Sequence, residues 1–190
     1  MDPGESGGRN ARSCFRDEAA IKRELVSMLP RLRRFALSLT GSRDEVDDLV
    51  QSALERALAN LHQWQPETRL DSWMYRIIQN TRFSQLRAEQ ARPAETSLED
   101  AEELSAGATT EEAYQQTITL EAVLQAMQKL SEEHRGVLAL VCIEGLRYRE
   151  AAEVLDISVG TVMSRLARAR KRLDAHLRAE NAHSLGGAVQ

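Results

Sequence analysis

Rings and sulfur are scarce in this chain of 190 residues: aromatics make up 4%, with two cysteines and four prolines. With so few rings to fill an interior, the core has to be built from Leu, Ala, Val and Ile, a balance that suits helices rather than sheets. Cys14 and Cys142 cannot by themselves form a disulfide framework or a four-ligand zinc site, so a reducing compartment fits. No stretch approaches the roughly 20 uninterrupted apolar residues that cross a bilayer, and the N-terminal segment, rich in Gly, Arg, Asp and Glu, carries no apolar signal, so a cytoplasmic protein is expected. Four histidines, His62, His134, His176 and His183, are scattered; the only Glu-x-x-His runs from Glu180 to His183. A glycine-rich phosphate loop and a Gly-x-Ser-x-Gly elbow are also missing. No catalytic residue, metal site or cofactor is expected, and the chain does not read as an enzyme.

Cations are absent from one long segment. From Pro93 through Gln128 there is no Lys or Arg, while Glu95, Glu99, Asp100, Glu102, Glu103, Glu111, Glu112 and Glu121 are all acidic. The net charge of −4 therefore conceals a basic molecule with an acidic strap. Between Val159 and Arg178 six cations stand against Asp174 alone, a local field that attracts an anionic partner whatever the global sign.

The pattern elsewhere is helical, and no run alternates as a strand does. Ile21, Leu25, Met28 and Leu29 share a face; Pro30 is expected to open a new or kinked turn, and Leu32, Phe35, Ala36 and Leu39 continue to a stop at Gly41. Ser42-Arg43-Asp44-Glu45 spells a capping box ahead of Val46, Leu49, Val50, Ala53, Leu54, Ala57, Leu58 and Leu61. After a polar loop, Asp71 is a candidate N-cap for a helix through Trp73, Met74, Ile77, Ile78, Phe83 and Leu86. The acidic, aperiodic residues 93–112 read as a linker. Beyond it one helix carries Ile118 to Leu130, and a second opens at Ser131 and stops at Gly145. Two more come next, Tyr148 to Leu155 and Val159 to about Arg178, around the tight turn Asp156-Ile157-Ser158. The expectation is all-α: two small helical domains joined by an acidic linker, the C-terminal one containing a helix-turn-helix. Residues 1–16 and 180–190 read as tails, 17–92 as the first domain and 113–179 as the second.

A short helix, a tight turn and a longer basic helix suit the DNA major groove. Ser158 can cap the second helix, and with Val162, Leu166, Ala169 and Leu173 buried the period turns Thr161, Ser164, Arg165, Arg168, Lys171 and Arg172 outward. The early ones can read base edges, the later ones hold phosphates; the competing reading is a solvated cationic helix. A second polar face, with Arg76, Gln79, Asn80, Arg82 and Arg87, suits a strand with exposed bases, whereas Trp73 and Phe83 sit at core spacing with Ile77. Asp47, Asp48, Gln51 and Glu55 share the polar side of the helix from Glu45 to Leu61, where acids favour the helix dipole. Cys142, on an apolar face, reads as inert filling.

These residues resemble an extracytoplasmic-function RNA polymerase sigma factor in its two-domain minimal form, over about residues 20–178. The resemblance rests on Glu144 through Leu155, Val159 through Leu166 and Arg168 through Leu173, similar to the family's domain 4. It rests equally on Asp47 through Gln51, Trp64, Trp73 through Asn80 and Leu86-Arg87, similar to domain 2. It implies a promoter-directing subunit that assists initiation, typically in a stress response. Asp47, Asp48, Gln51 and Glu55 would dock the polymerase clamp helices, domain 4 the flap tip. Gln65, Arg76, Gln79, Asn80, Arg82 and Arg87 would face the −10 strand; Arg147, Ser158, Thr161, Ser164, Arg165, Arg168, Lys171 and Arg172 would face the −35 duplex. An anti-sigma protein is an implied partner. Ser84, Met163 and Ala167 depart from the family's usual Asp, Lys and His. Other readings of the residues alone are a helix-turn-helix regulator that works without polymerase and an interaction or enzymatic helical bundle, the last disfavoured by the absent ligand spacing.

Overall fold

The computed structural model describes residues 8–65, 68–91 and 111–186, with side chains over 18–65, 68–91 and 120–178. Seven α-helices and two short turns succeed one another: α1 (Gly8–Thr40), α2 (Arg43–Ala59), a 3-10 turn (Leu61–Gln63), α3 (Leu70–Ala91), α4 (Glu111–Gln128), α5 (Glu132–Leu138), a π-helical turn (Ala139–Ile143), α6 (Tyr148–Leu155) and α7 (Val159–Gly186). No strand occurs among the described residues.

α1 begins at Gly8, inside the stretch read from sequence as a tail, and continues through Pro30 as one helix. Pro30 is exposed, so it sits on the side of α1 where water can serve a backbone carbonyl that its missing N–H leaves without a partner. Gly41, with φ +73°, reverses the chain into α2. A side chain there would also collide with Gln128, whose Cδ lies 2.5 Å from where a Cβ would stand. Ser42 occupies the N-cap of α2 without capping it through its side chain; Glu45, the box's other half, pairs instead with Arg82 at 2.8 Å. α3 starts one residue before the candidate cap Asp71. The linker from 92 to 110 and the ends 1–7 and 187–190 lie outside the described residues. α4 and α7 extend into 111–112 and 180–186, beyond the domain edges expected from sequence.

The buried side chains form one continuous cluster. Leu32, Phe35, Leu39, Leu49, Met74, Tyr75 and Ile78 from the first three helices join Met127, Val137, Leu140, Ala151, Val162, Leu166 and Ala169 from the second half of the chain. Phe35 and Tyr75 meet edge to face, centroids 4.8 Å apart, a contact worth about 0.5–1.5 kcal/mol beyond its buried area. Two of the few aromatics are thus placed where the two domains touch. The two domains pack against each other, α1 on α4, α5 and the π turn, and α3 on α6.

The π turn alters the register. An inserted residue rotates the chain beyond it, and Cys142 therefore emerges to the surface with its Sγ 3.4 Å from Arg170 Nη2. Its expected burial is corrected on that ground. The same rotation carries Glu144 inward, where it is buried. Leu58, expected on the inner face of α2, is 46% exposed.

Candidate nucleic-acid and polymerase interfaces

The helix-turn-helix is built locally. Asp156 takes a left-handed conformation at φ 53° to end α6, and the Ile157 N–H bonds back to the Ala152 carbonyl at 3.1 Å. Ser158 Oγ accepts the Thr161 N–H at 3.0 Å, capping α7. That cap satisfies one of the orphan donors of the first turn and is worth about 1 kcal/mol. Val162, Leu166 and Ala169 are buried, which turns the opposite side of α7 to water. On that side Ser164, Arg168, Lys171 and Arg172 are exposed, with Arg147 exposed before α6.

Two expected readers are held more closely. Thr161 is half-buried, its hydroxyl 2.8 Å from Ser158 Oγ. Arg165 is half-buried, its Nη2 2.9 Å from the Glu133 carboxylate on α5. Ser164 donates to its own helix at the Thr161 carbonyl. Behind this surface His134 accepts or donates at Nδ1 to Ser131 Oγ, 2.6 Å away. Burial first, then Arg172 and Arg165, hold the His134 imidazole below its usual range.

On α3 the structure divides the expected readers. Asn80 and Arg87 are exposed, as is Gln65 in the preceding loop. Arg76 is exposed but donates across to the Glu153 carbonyl of α6. Arg82 is buried, spanning to Glu45, and its Nε has no partner among the described residues. Gln79 is 2% exposed, and neither atom of its carboxamide has a hydrogen-bond partner among the described residues. It lies against α5 where Gly136 offers no side chain; a Cβ there would stand 3.0 Å from both amide atoms. An unsatisfied buried amide of this kind costs about 1–3 kcal/mol.

On α2, Asp47, Asp48, Gln51 and Glu55 are all exposed. Asp47 pairs with Arg33 of α1 at 2.9 Å, and Gln51 donates to Glu55 at 3.0 Å.

Periodicity gave no hint of a further constellation, the polar seam between the domains. The Glu144 side chain, with no exposure at all, accepts both forks of Arg34, at 3.0 and 3.1 Å, and the Tyr75 hydroxyl at 2.6 Å. Arg31 stands 3.6 Å from Glu144 and 3.6 Å from Asp71. Arg69 forks onto Asp71 at 2.6 and 3.0 Å and reaches Glu150 of α6 at 2.9 Å. Burial alone would push the Asp71 carboxyl up, but Arg69, the Ser72 N–H and Arg31 outweigh it and hold it below the usual carboxylate range. Burial and then the hydrogen bond to Glu144 push the Tyr75 hydroxyl well above its ordinary value. The arginines of this network come from the first domain, Glu144 and Glu150 from the second. An acid between Ile143 and Leu146 is the one sequence signal that marked the site.

Among the described residues no cluster of His, Cys, Asp or Glu fits a metal ion, and no helix is long and apolar enough to cross a membrane.

Two family models match in chain order: Sigma2 domain of PhyR over residues 25–79 and Sigma-70, region 4 over residues 120–173. The chain is 34% identical over 168 residues to the ECF RNA polymerase sigma factor EcfG of Rhodopseudomonas palustris, covering 88% of this chain and 90% of that one. It is 33% identical over 138 residues to the sigma-E factor of Escherichia coli, covering 68% and 72%. Among solved structures, the sigma factor RpoE bound to the anti-sigma factor NepR from Bartonella quintana matches with a TM-score of 0.63 and 29% identity, over 83% of this chain and 96% of that one. CnrH, in complex with the cytosolic domain of CnrY, matches with a TM-score of 0.63 and 25% identity, over 89% and 94%. The chain belongs to the extracytoplasmic-function RNA polymerase sigma factors, the non-catalytic subunits that direct core polymerase to promoters and take part in initiation.

Proposed function

We propose that α7 reads the −35 duplex through Ser164, Arg165 and Arg168, with Arg147, Ser158, Thr161, Lys171 and Arg172 positioning it on phosphates. The observation that carries this reading is the capped helix-turn-helix, whose long helix keeps Arg168, Lys171 and Arg172 in water while Val162, Leu166 and Ala169 pin its other side. Guanidinium groups on such a helix suit guanine edges and phosphates alike. Gln65, Arg76, Asn80 and Arg87 take the unpaired −10 strand, where amides and cations work beside stacked bases; Gln79 and Arg82, expected beside them, are buried and in this arrangement do not reach it. Asp47, Asp48, Gln51 and Glu55 dock the clamp helices of core polymerase, and the second domain meets the flap tip. Each DNA contact alone is weak; a shared enzyme raises the effective concentration of the second after the first. The site of action is the cytoplasm. The complex of RpoE with the anti-sigma factor NepR supports control of this chain by an anti-sigma partner; a stress response is the setting proposed for it.

The test is reconstitution. Purified chain with core polymerase on a template carrying a pre-opened promoter bubble is expected to initiate at one site. A duplex affinity that core polymerase leaves unchanged would instead identify a regulator working without it.

A further inference from the structure

We propose that Met163, with Ala167 beside it, reads the 5-methyl group of a thymine in the −35 duplex, an apolar base contact on a face otherwise served by polar groups. The inference rests on α7 meeting that duplex and adds a specificity-determining residue to it.

The first observation is how polarity is laid out along α7. Met163 is 54% exposed, whereas Val162, Leu166 and Ala169 on the inner side are buried. A single exposed apolar residue is ordinary on any surface; its place on this helix is what gives it a use. Gly160, Met163, Ser164 and Ala167 are exposed and uncharged, and Arg168, Lys171 and Arg172 follow them, exposed and cationic. Met163 and Ala167, four residues apart, are neighbours on the helix surface. A helix lying in the major groove meets base edges with its N-terminal turns, while cations serve the phosphates. The uncharged stretch of α7 thus comes first, where bases are met, and the cations after it.

The second is that the polar residues of these turns are already engaged. Ser158 Oγ and Thr161 Oγ1 lie 2.8 Å apart, Ser164 Oγ donates to the Thr161 carbonyl at 3.1 Å, and Arg165 pairs with Glu133 at 2.9 Å. Each gives up an internal partner to reach a base, which offsets part of what the base contact gains. Met163 sheds only water, and apolar burial is favourable without such an exchange.

The third is room. A Cβ at Gly160, three residues before Met163, would meet no neighbour nearer than Ser158 Oγ at 3.7 Å, so the backbone can come close to the groove floor. An unbranched thioether adapts its shape to what it covers. Of the groups that base pairs present in the major groove, the thymine C5-methyl is the apolar one.

The experiment uses the full chain with core polymerase on templates that carry a pre-opened bubble and a stretch of randomised base pairs in the −35 region. That stretch is copied once with thymidine and once with deoxyuridine triphosphate, which pair alike and differ by the methyl group. Bound templates are separated and sequenced. The parent is expected to favour thymine at one position by about fourfold, the worth of one buried methyl, and to lose that preference in the deoxyuridine pool. Met163→Ala should lose it in the thymine pool and change nothing further in the deoxyuridine pool, as two changes that remove one contact do. Met163→Leu should keep most of it. The absence of a thymine preference in the parent, or one that survives either loss of the methyl or Met163→Ala, overturns the proposal while a selected motif still upholds the −35 reading. Weaker binding of Met163→Ala to core polymerase with its thymine preference intact would assign the side chain to protein docking and overturn it equally. A bound pool with no preferred base at any randomised position, in the parent and in Arg168→Ala alike, would overturn the −35 reading and this inference with it.

Discussion

Arg165 is the residue on which the −35 reading is most exposed to refutation. Its ion pair with Glu133 tethers it to α5, whereas Arg172, further along the helix, is exposed to water. Arg165→Ala is expected to weaken duplex binding and flatten base preference by about 1–3 kcal/mol, and Arg172→Ala to weaken all sequences alike; binding to a panel of single-base variants separates them. Nearby, His134 supplies a pH signature. Its native pKa is lowered by burial and by Arg172, Arg165 and Arg168, partly offset by Glu133. The folded chain thus holds fewer protons at this ring than the unfolded one. Stability from this group is full above the unfolded value near 6.5 and is lost as pH falls toward the depressed native pKa. Urea midpoints measured at about pH 7.5 and about pH 5.5 should converge in His134→Gln relative to the parent, since the variant has no proton to gain.

Helices were the legible part. The spacing of Val46, Leu49, Val50, Ala53 and Ala57 foretold α2, and the same five side chains are its buried residues. Pro30 and Ser42 misled because each states a local preference that surroundings override: water can serve the helix beside Pro30, and Glu45 leaves its box for Arg82. The π turn was illegible for a deeper reason. No residue type encodes an inserted register; packing around Ala139 and Leu140 does, and with it go the exposure of Cys142 and the burial of Glu144. Arg135 was missed likewise. It donates to the Met127, Gln128 and Leu130 carbonyls, closing the C-terminal end of α4, reaches the Leu39 carbonyl of α1, and pairs with Glu132 at 2.9 Å. Arg135→Ala would orphan those carbonyls and is expected to cost about 3–5 kcal/mol in chemical denaturation. Lysine should restore little, since a point charge cannot replace the fork.

At the scale of the whole molecule the sequence was mute about how the domains sit together, because their contacts join residues about a hundred positions apart, Arg34 with Glu144 and Arg135 with Leu39. Periodicity within a helix says which side is apolar, not which neighbour covers it. The acidic strap and the cationic α7, by contrast, were plain in the charges. Shape at the seam gives one further expectation. Leucine in place of Gly136 would drive a branched side chain into the space held by the Gln79 amide, and the scattering envelope should lengthen while helicity stays, overpacking being relieved by parting the domains rather than by unfolding either.

Gln79 and Gly136 are fitted to one another, the amide occupying the room that a missing Cβ leaves. A larger residue at either position has to be answered at the other, so the two sites are expected to change in step through descent.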